Sequence, residues 1–203
     1  MKIVVASHNA GKVAEISGIL SGSGIELAGL DDFPAYPEPE ETGATFRENA
    51  MIKARAAHEA TGLSALADDS GIEVDALGGE PGIRSARYGG EGLDDAGRYT
   101  KLLSELAGKP DEERTARFRC VMVLYPAPET DGDALVTEGI LEGHIAFEPA
   151  GENGFGYDPV FFVPGAGKTA AEMDRAEKNS ISHRYRALVE MKAMLERGGE
   201  TFE

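Results

Sequence analysis

The residues best suited to chemistry are acids set in apolar sequence. Asp68-Asp69-Ser70-Gly71 follows Ala65-Leu66-Ala67 and precedes Ile72-Glu73-Val74. This reads as a short strand that ends in two carboxylates before a tight Ser-Gly turn. Carboxylates there are costly unless solvated, paired or bound to a cation. Magnesium suits them, because it takes oxygen ligands, often only one or two protein carboxylates, and completes its shell with water and substrate phosphate. Glu40-Glu41, in a proline-rich stretch, offers a second carboxylate. A solvated turn with an Asx cap explains the same letters around Asp69, so both readings stand on local sequence alone.

Three further segments carry polar groups at helix or strand ends. Ser7-His8-Asn9-Ala10-Gly11-Lys12 is not a P-loop, but it brings a hydroxyl, an amide and an ammonium to a helix N-terminus, where free N–H groups and the dipole attract anions. Plain capping uses the same residues. Phe155-Gly156-Tyr157-Asp158-Pro159 joins aromatic faces, a flexible glycine and an acid, which suits stacking on a base and accepting its ring hydrogen; a turn before a strand is the bland alternative. Lys178-Asn179-Ser180-Ile181-Ser182-His183-Arg184 is expected in the first turn of a helix, where the dipole disfavours cations, so a ligand should want them there. Arginine donates well to a purine O6, whereas the N6 amino group of adenine would leave it unpaired. A buried polar site of this kind discriminates by as much as about four to five orders of magnitude.

The elements that must position these groups follow from periodicity. A strand over 2–6 leads through the polar turn into a helix over 12–20, and a second strand falls near 25–28. The segment 34–43, with prolines and acids, is an exposed loop. Thr45 and Glu48 have capping-box spacing and open a helix that runs to about residue 60 before Gly62. A glycine-rich stretch over 78–92 precedes a helix over 94–106, ended by Gly108 and Pro110. Strands follow at 116–125, 135–147 and 159–163, with Gly139 and Gly143 marking a bend or bulge in the middle one, and 126–133 forms a loop. A final helix starts near Ser180 or Ser182 and carries Leu188, Met191, Met194 and Leu195. Helices mixed with adjacent strands favour one compact α/β unit with a mixed sheet, open to a two-lobed arrangement around a cleft.

The 203 residues, 41% of them apolar, supply ample core. A formal charge of −16 argues against a general nucleic-acid or anionic-membrane binder, which needs an excess of Lys and Arg. A small phosphate ligand needs only a local cluster such as Lys12, Lys53, Lys178, His183 and Arg184. With no membrane-length apolar run and no signal-peptide pattern at residues 1–9, a cytoplasmic protein is the expectation. The single cysteine, Cys120, sits in an apolar run and reads as a buried thiol.

In order and spacing, these segments resemble the Ham1/RdgB family of inosine and xanthosine triphosphate pyrophosphatases. The resemblance spans essentially the whole chain. It is carried by Ser7-His8-Asn9-Ala10-Gly11-Lys12; by Glu40-Glu41-Thr42-Gly43-Ala44-Thr45-Phe46 through Lys53-Ala54; by Ala67-Asp68-Asp69-Ser70-Gly71 on to Pro81-Gly82-Ile83 and Ser85-Ala86-Arg87-Tyr88; by Gly154 to Pro159; and by Ser182-His183-Arg184. It implies an elongated α/β fold with a mixed central sheet, a cleft between two lobes, a homodimer, and magnesium-dependent cleavage of ITP, dITP or XTP between the α- and β-phosphates. By the same correspondence Asp69 is general base and metal ligand, with Glu40 the other acidic metal position. Ser7, Asn9, Lys12, Lys53, Ser70 and Lys178 would hold phosphate and sugar, and Phe155, Asp158, His183 and Arg184 the base. His8 departs from the family, many of whose members carry glycine there.

Overall fold

The computed structural model describes residues 1–199 apart from 23, 35, 91 and 128–132, with the backbone alone for 197–199. Ala35 of the proline-rich loop, residue 91 of the glycine-rich stretch and most of the loop expected over 126–133 therefore lie outside the described residues. Two compact units interleave along the sequence. The first comprises Met1–Asp69, Cys120–Gly139 and the described residues from His183 onward; the second comprises Ser70–Arg119 and Ile140–Ser182.

In the first unit, β1 (Lys2–Val5) pairs in parallel with β2 (Glu26–Gly29) and with the start of β3 (Ser64–Val74), placing Ile3 opposite Leu27 and Ser64. Parallel neighbours require crossover segments, and α1 (Ala10–Leu20) and α2 (Phe46–Thr61) lie in them. Alternation along β1 serves two cores. Ile3 and Val5 pack with Ile16, Leu20, Leu66, Met122, Leu188 and the buried Cys120, whereas Val4 and Ala6 pack with Ala50, Ala54 and Ala57 of α2. Small residues at that spacing give α2 a low-relief face. Thr45 caps it through the Glu48 N–H, but the Glu48 carboxylate accepts from Ala44 rather than closing a full capping box.

The second unit holds α3 (Asp95–Glu105), β6 (Phe161–Val163), β7 (Lys168–Thr169) and α4 (Arg175–Ile181) around Ile72, Val74, Leu102, Phe118, Ile145, Tyr157 and Phe161. Three long strands, β3, β4 (Thr115–Tyr125) and β5 (Leu135–Ile145), contribute residues to both units, and α5 (His183–Gly199) belongs to the first. The seven strands are ordered β2-β1-β3-β4-β5-β6-β7; β5, β6 and β7 pair antiparallel, so the sheet is mixed. No helix among the described residues is long and apolar enough to cross a membrane.

Several expectations need correction. Asp68-Asp69-Ser70-Gly71 is neither a strand end nor a turn, because β3 runs unbroken through it. The acids are tolerated in mid-strand because cations are brought to them, and a Ser-Gly pair has no power to turn a strand held by its neighbours. The strand β5 continues through Gly139 and Gly143. A Cβ at Gly139 would stand 1.9 Å from the His183 carbonyl oxygen and one at Gly143 2.4 Å from that of Phe162, so both glycines permit close backbone approach. Lys178 lies in the last turn of α4, a helix not anticipated, where its charge suits the dipole. Residues 158–160 form a 3-10 turn before β6.

Candidate active site

In the first unit, three helices, α1, α2 and α5, bring cations to the β3 acids. Asn9 caps α1 by accepting from the Lys12 N–H at 3.1 Å, and the Ser7 hydroxyl accepts from the Asn9 N–H at 3.2 Å. This capping turn aims Lys12 at Asp68, with Nζ 2.9 Å from Oδ2. Asp68 is 2% exposed and also meets Arg184, whose Nε is 3.5 Å from the same oxygen and whose Nη1 binds the buried Glu15. Burial works to raise the Asp68 carboxyl, but Lys12, Arg184 and Lys53 together outweigh it and hold it far below the usual carboxylate range.

Asp69 is built differently. Lys53 bridges it to Glu41, at 3.3 Å and 2.9 Å, and the fully buried Asn49 donates to its Oδ2 at 3.2 Å. Asn49 and Lys53 are four apart on α2, so one helix face supplies both. Asn49 is fixed in turn by accepting from the Gly43 N–H at 2.8 Å. Burial raises the Asp69 carboxyl, and the neighbouring Glu41 adds to this against the opposing pull of Lys53 and Asn49. Adjacent carboxylates are thus set apart, one locked in the charged form and one made more basic.

In the second unit, Lys178 places its ammonium 2.5 Å from Asp158 and 4.8 Å from the centroid of the partly open Phe155 ring. Asp158 also accepts from the Phe155 N–H at 2.8 Å. The Tyr157 side chain is buried and donates to the Ser85 carbonyl at 2.8 Å, so its ring belongs to the core.

The expected residues therefore separate into groups. Lys12, Asp68 and Arg184 are assembled, as are Lys53 and Asp69, and as are Phe155, Asp158 and Lys178. Ala10 and Gly11 open α1, Ser70 is the half-buried residue after Asp69, and Gly156 lies between Phe155 and Tyr157. His183 is buried at the start of α5. His8 and Glu40 are exposed, with His8 only 4.0 Å from Asp31; it is Glu41, not Glu40, that meets Lys53. Sequence reasoning missed Glu15 and Asn49, and the signal for both was a polar residue one helical turn from an expected lysine, Glu15 from Lys12 and Asn49 from Lys53.

A mixed α/β sheet that carries adjacent buried carboxylates, each paired with a partly buried lysine, is a charged centre suited to phosphate chemistry. The comparisons make this specific. The Ham1 family model matches residues 3–194, and the chain belongs to the Ham1 family. It is 54% identical over 192 residues to the dITP/XTP pyrophosphatase of Nitratidesulfovibrio vulgaris, covering 92% of this chain and 91% of that one. With the dITP/XTP pyrophosphatase of Escherichia coli K12 it shares 51% over 187 residues, covering 92% and 94%. Among solved structures, a HAM1 protein from Coxiella burnetii superposes with a TM-score of 0.89 at 47% identity, covering 97% and 99% of the two chains.

Proposed function

We propose that this protein hydrolyses non-standard purine nucleoside triphosphates, of the dITP, XTP and ITP kind, to the monophosphate and pyrophosphate, cleansing the nucleotide pool of the cytoplasm. The observation that carries this reading is the Lys53 bridge between Asp69 and Glu41, beside the Lys12–Asp68 pair: one buried cluster that can bind phosphate, hold a cation and accept a proton. The names of relatives about half identical over nine-tenths of the chain support it.

Among the described residues, no three His, Cys, Asp or Glu side chains gather as a metal cage. The donor set is carboxylate oxygen, which fits magnesium held by Asp69 and one acid of the Glu40-Glu41 pair, with phosphate and water completing the shell. Held by these carboxylates, magnesium would supply charge screening of the triphosphate and polarisation of phosphorus. Lys12 and Lys53 hold phosphate, with the Ser7 to Gly11 turn and Ser70 beside them. Asp69, made more basic by burial, orients and deprotonates the water that attacks the α-phosphoryl group. Phe155, Gly156, Asp158, Lys178 and His183 serve the sugar and base, while Tyr157, whose ring is in the core, supports the loop from behind. Arg184 reaches a purine O6 with a guanidinium whose plane Glu15 and Asp68 have already fixed. A homodimer belongs to the same proposal.

The test is a turnover panel of dITP, XTP, ITP, ATP, GTP, dTTP and UTP with magnesium or EDTA, measuring pyrophosphate and orthophosphate separately. Preference for the first three, one pyrophosphate per monophosphate and loss of turnover in EDTA are expected. Pyrimidine preference would move the protein to a Maf-like activity, orthophosphate as first product would overturn the cleavage site, and binding without turnover would make it a sensor.

A further inference from the structure

We infer that Asp95 is a positioning residue for recognition of the base, an inference that rests on the reading of Phe155 proposed above. Two aspartates open α3 and divide the work. Asp94 is the cap, accepting from the Gly97 N–H at 2.8 Å, so Asp95 is not needed for that role. The Asp95 carboxylate is itself split. Oδ1 pairs with Arg98 one turn further on at 2.8 Å, and Oδ2 accepts from the backbone N–H of Gly156 at 2.7 Å. Gly156 has φ +64°, a conformation that favours glycine, and this presents its N–H to α3.

The consequence falls on Phe155. The peptide plane after its α-carbon ends on Asp95, and the plane before it ends on Asp158, which accepts from the Phe155 N–H at 2.8 Å. Peptide units are rigid, so tying both planes fixes φ and ψ of the residue between them. The Lys178 ammonium, 4.8 Å from the ring centroid, restrains what side-chain freedom is left. The ring is 37% exposed, and an open aromatic face held in place before a ligand arrives avoids the ordering cost of binding. Asp95 acts on the base only through this loop.

The test compares Asp95→Ala and Asp95→Asn in the full chain, each alone and combined with Phe155→Ala, reading KM and kcat for dITP and the thermal unfolding midpoint. Asp95→Ala should raise KM about three- to tenfold with kcat within about twofold, the yield of one charge-assisted hydrogen bond. Asp95→Asn keeps an acceptor for the Gly156 N–H and should recover part of that loss. In the Phe155→Ala background, removing Asp95 should add less than about twofold, because the pathway is already cut. The inference is overturned by an equal KM effect in both backgrounds, by a fall in kcat at constant KM, or by a silent Asp95→Ala when Phe155→Ala raises KM. A silent Phe155→Ala would instead sink the reading of Phe155. If Asp95→Ala does not fold, Asp95→Ser, whose short hydroxyl cannot replace the carboxylate on both the Gly156 N–H and Arg98, decides: a raised KM that vanishes without Phe155 supports the inference, and an unchanged KM refutes it.

Discussion

In the first half of β3, Asp68 and Asp69 are buried among Lys12, Lys53 and Arg184, whereas Glu73 in its second half is only partly buried where it meets Arg119 and Arg117. Just beyond the strand, Asp75 pairs with Arg117, which also reaches Glu142 at 3.2 Å, with partners up to two-thirds exposed. Residue types and distances are alike in the two places. The difference is water. At the surface, solvent and salt screen each pair and either partner can be solvated alone; in the interior, each charge depends on its partners. The buried set holds neighbouring carboxyls in unlike states, Asp68 pushed down by its cations and Asp69 pushed up by burial.

The sharpest way to break this contrast is Asp69→Asn. Turnover of dITP should fall by about a hundred- to ten-thousandfold, the usual contribution of a general base. Near-wild-type kcat would remove Asp69 from the chemistry.

Asp68→Asn should cost about 3 kcal/mol in urea unfolding, because the largely buried Lys12 loses the carboxylate it pairs with and Arg184 loses one of the two acids it meets. The pH dependence has a definite sign. Asp68 and Asp75 are both held below the ordinary carboxylate range, the latter by the Thr115 hydroxyl and then Arg117. For a depressed acid, stabilisation is complete above the unfolded-state pKa of about 3.9 and is lost as pH falls toward the folded value. The wild type should therefore weaken below that pH, and Asp68→Asn should weaken less steeply at low and high salt alike. For Asp75→Asn the difference should be small and fade with added salt. Equal salt sensitivity in the two variants would erase the distinction.

Smallest of all, Arg117→Ala should cost about 1 kcal/mol or less, diminishing in salt, despite removing contacts to three acids. A larger, salt-resistant loss in urea unfolding would show that the surface cluster behaves like the buried one.

Much of the fold was legible locally. Thr45 and Gly62 bracket α2, Asp94 caps α3, and the apolar run after Lys2 marks β1, because caps and short apolar runs are set by near neighbours. What escaped was non-local. Ser70-Gly71 carries turn letters, yet the residues around it are held in a long strand; α4 and the two-residue β7 are too short to give a periodic signal.

The candidate site divides along the same line. The types and order of Lys12, Glu41, Lys53, Asp68, Asp69, Phe155, Asp158 and Arg184 were set by the sequence, and with them the family and the phosphate chemistry. Tertiary structure alone decided that Lys12 takes Asp68 while Lys53 takes Asp69, that Glu41 rather than Glu40 joins them, that Glu15 and Asn49 stand behind them, and that Tyr157 serves the core. Pairing and burial set the charge state of each group, and both depend on partners that the chain brings together only when folded.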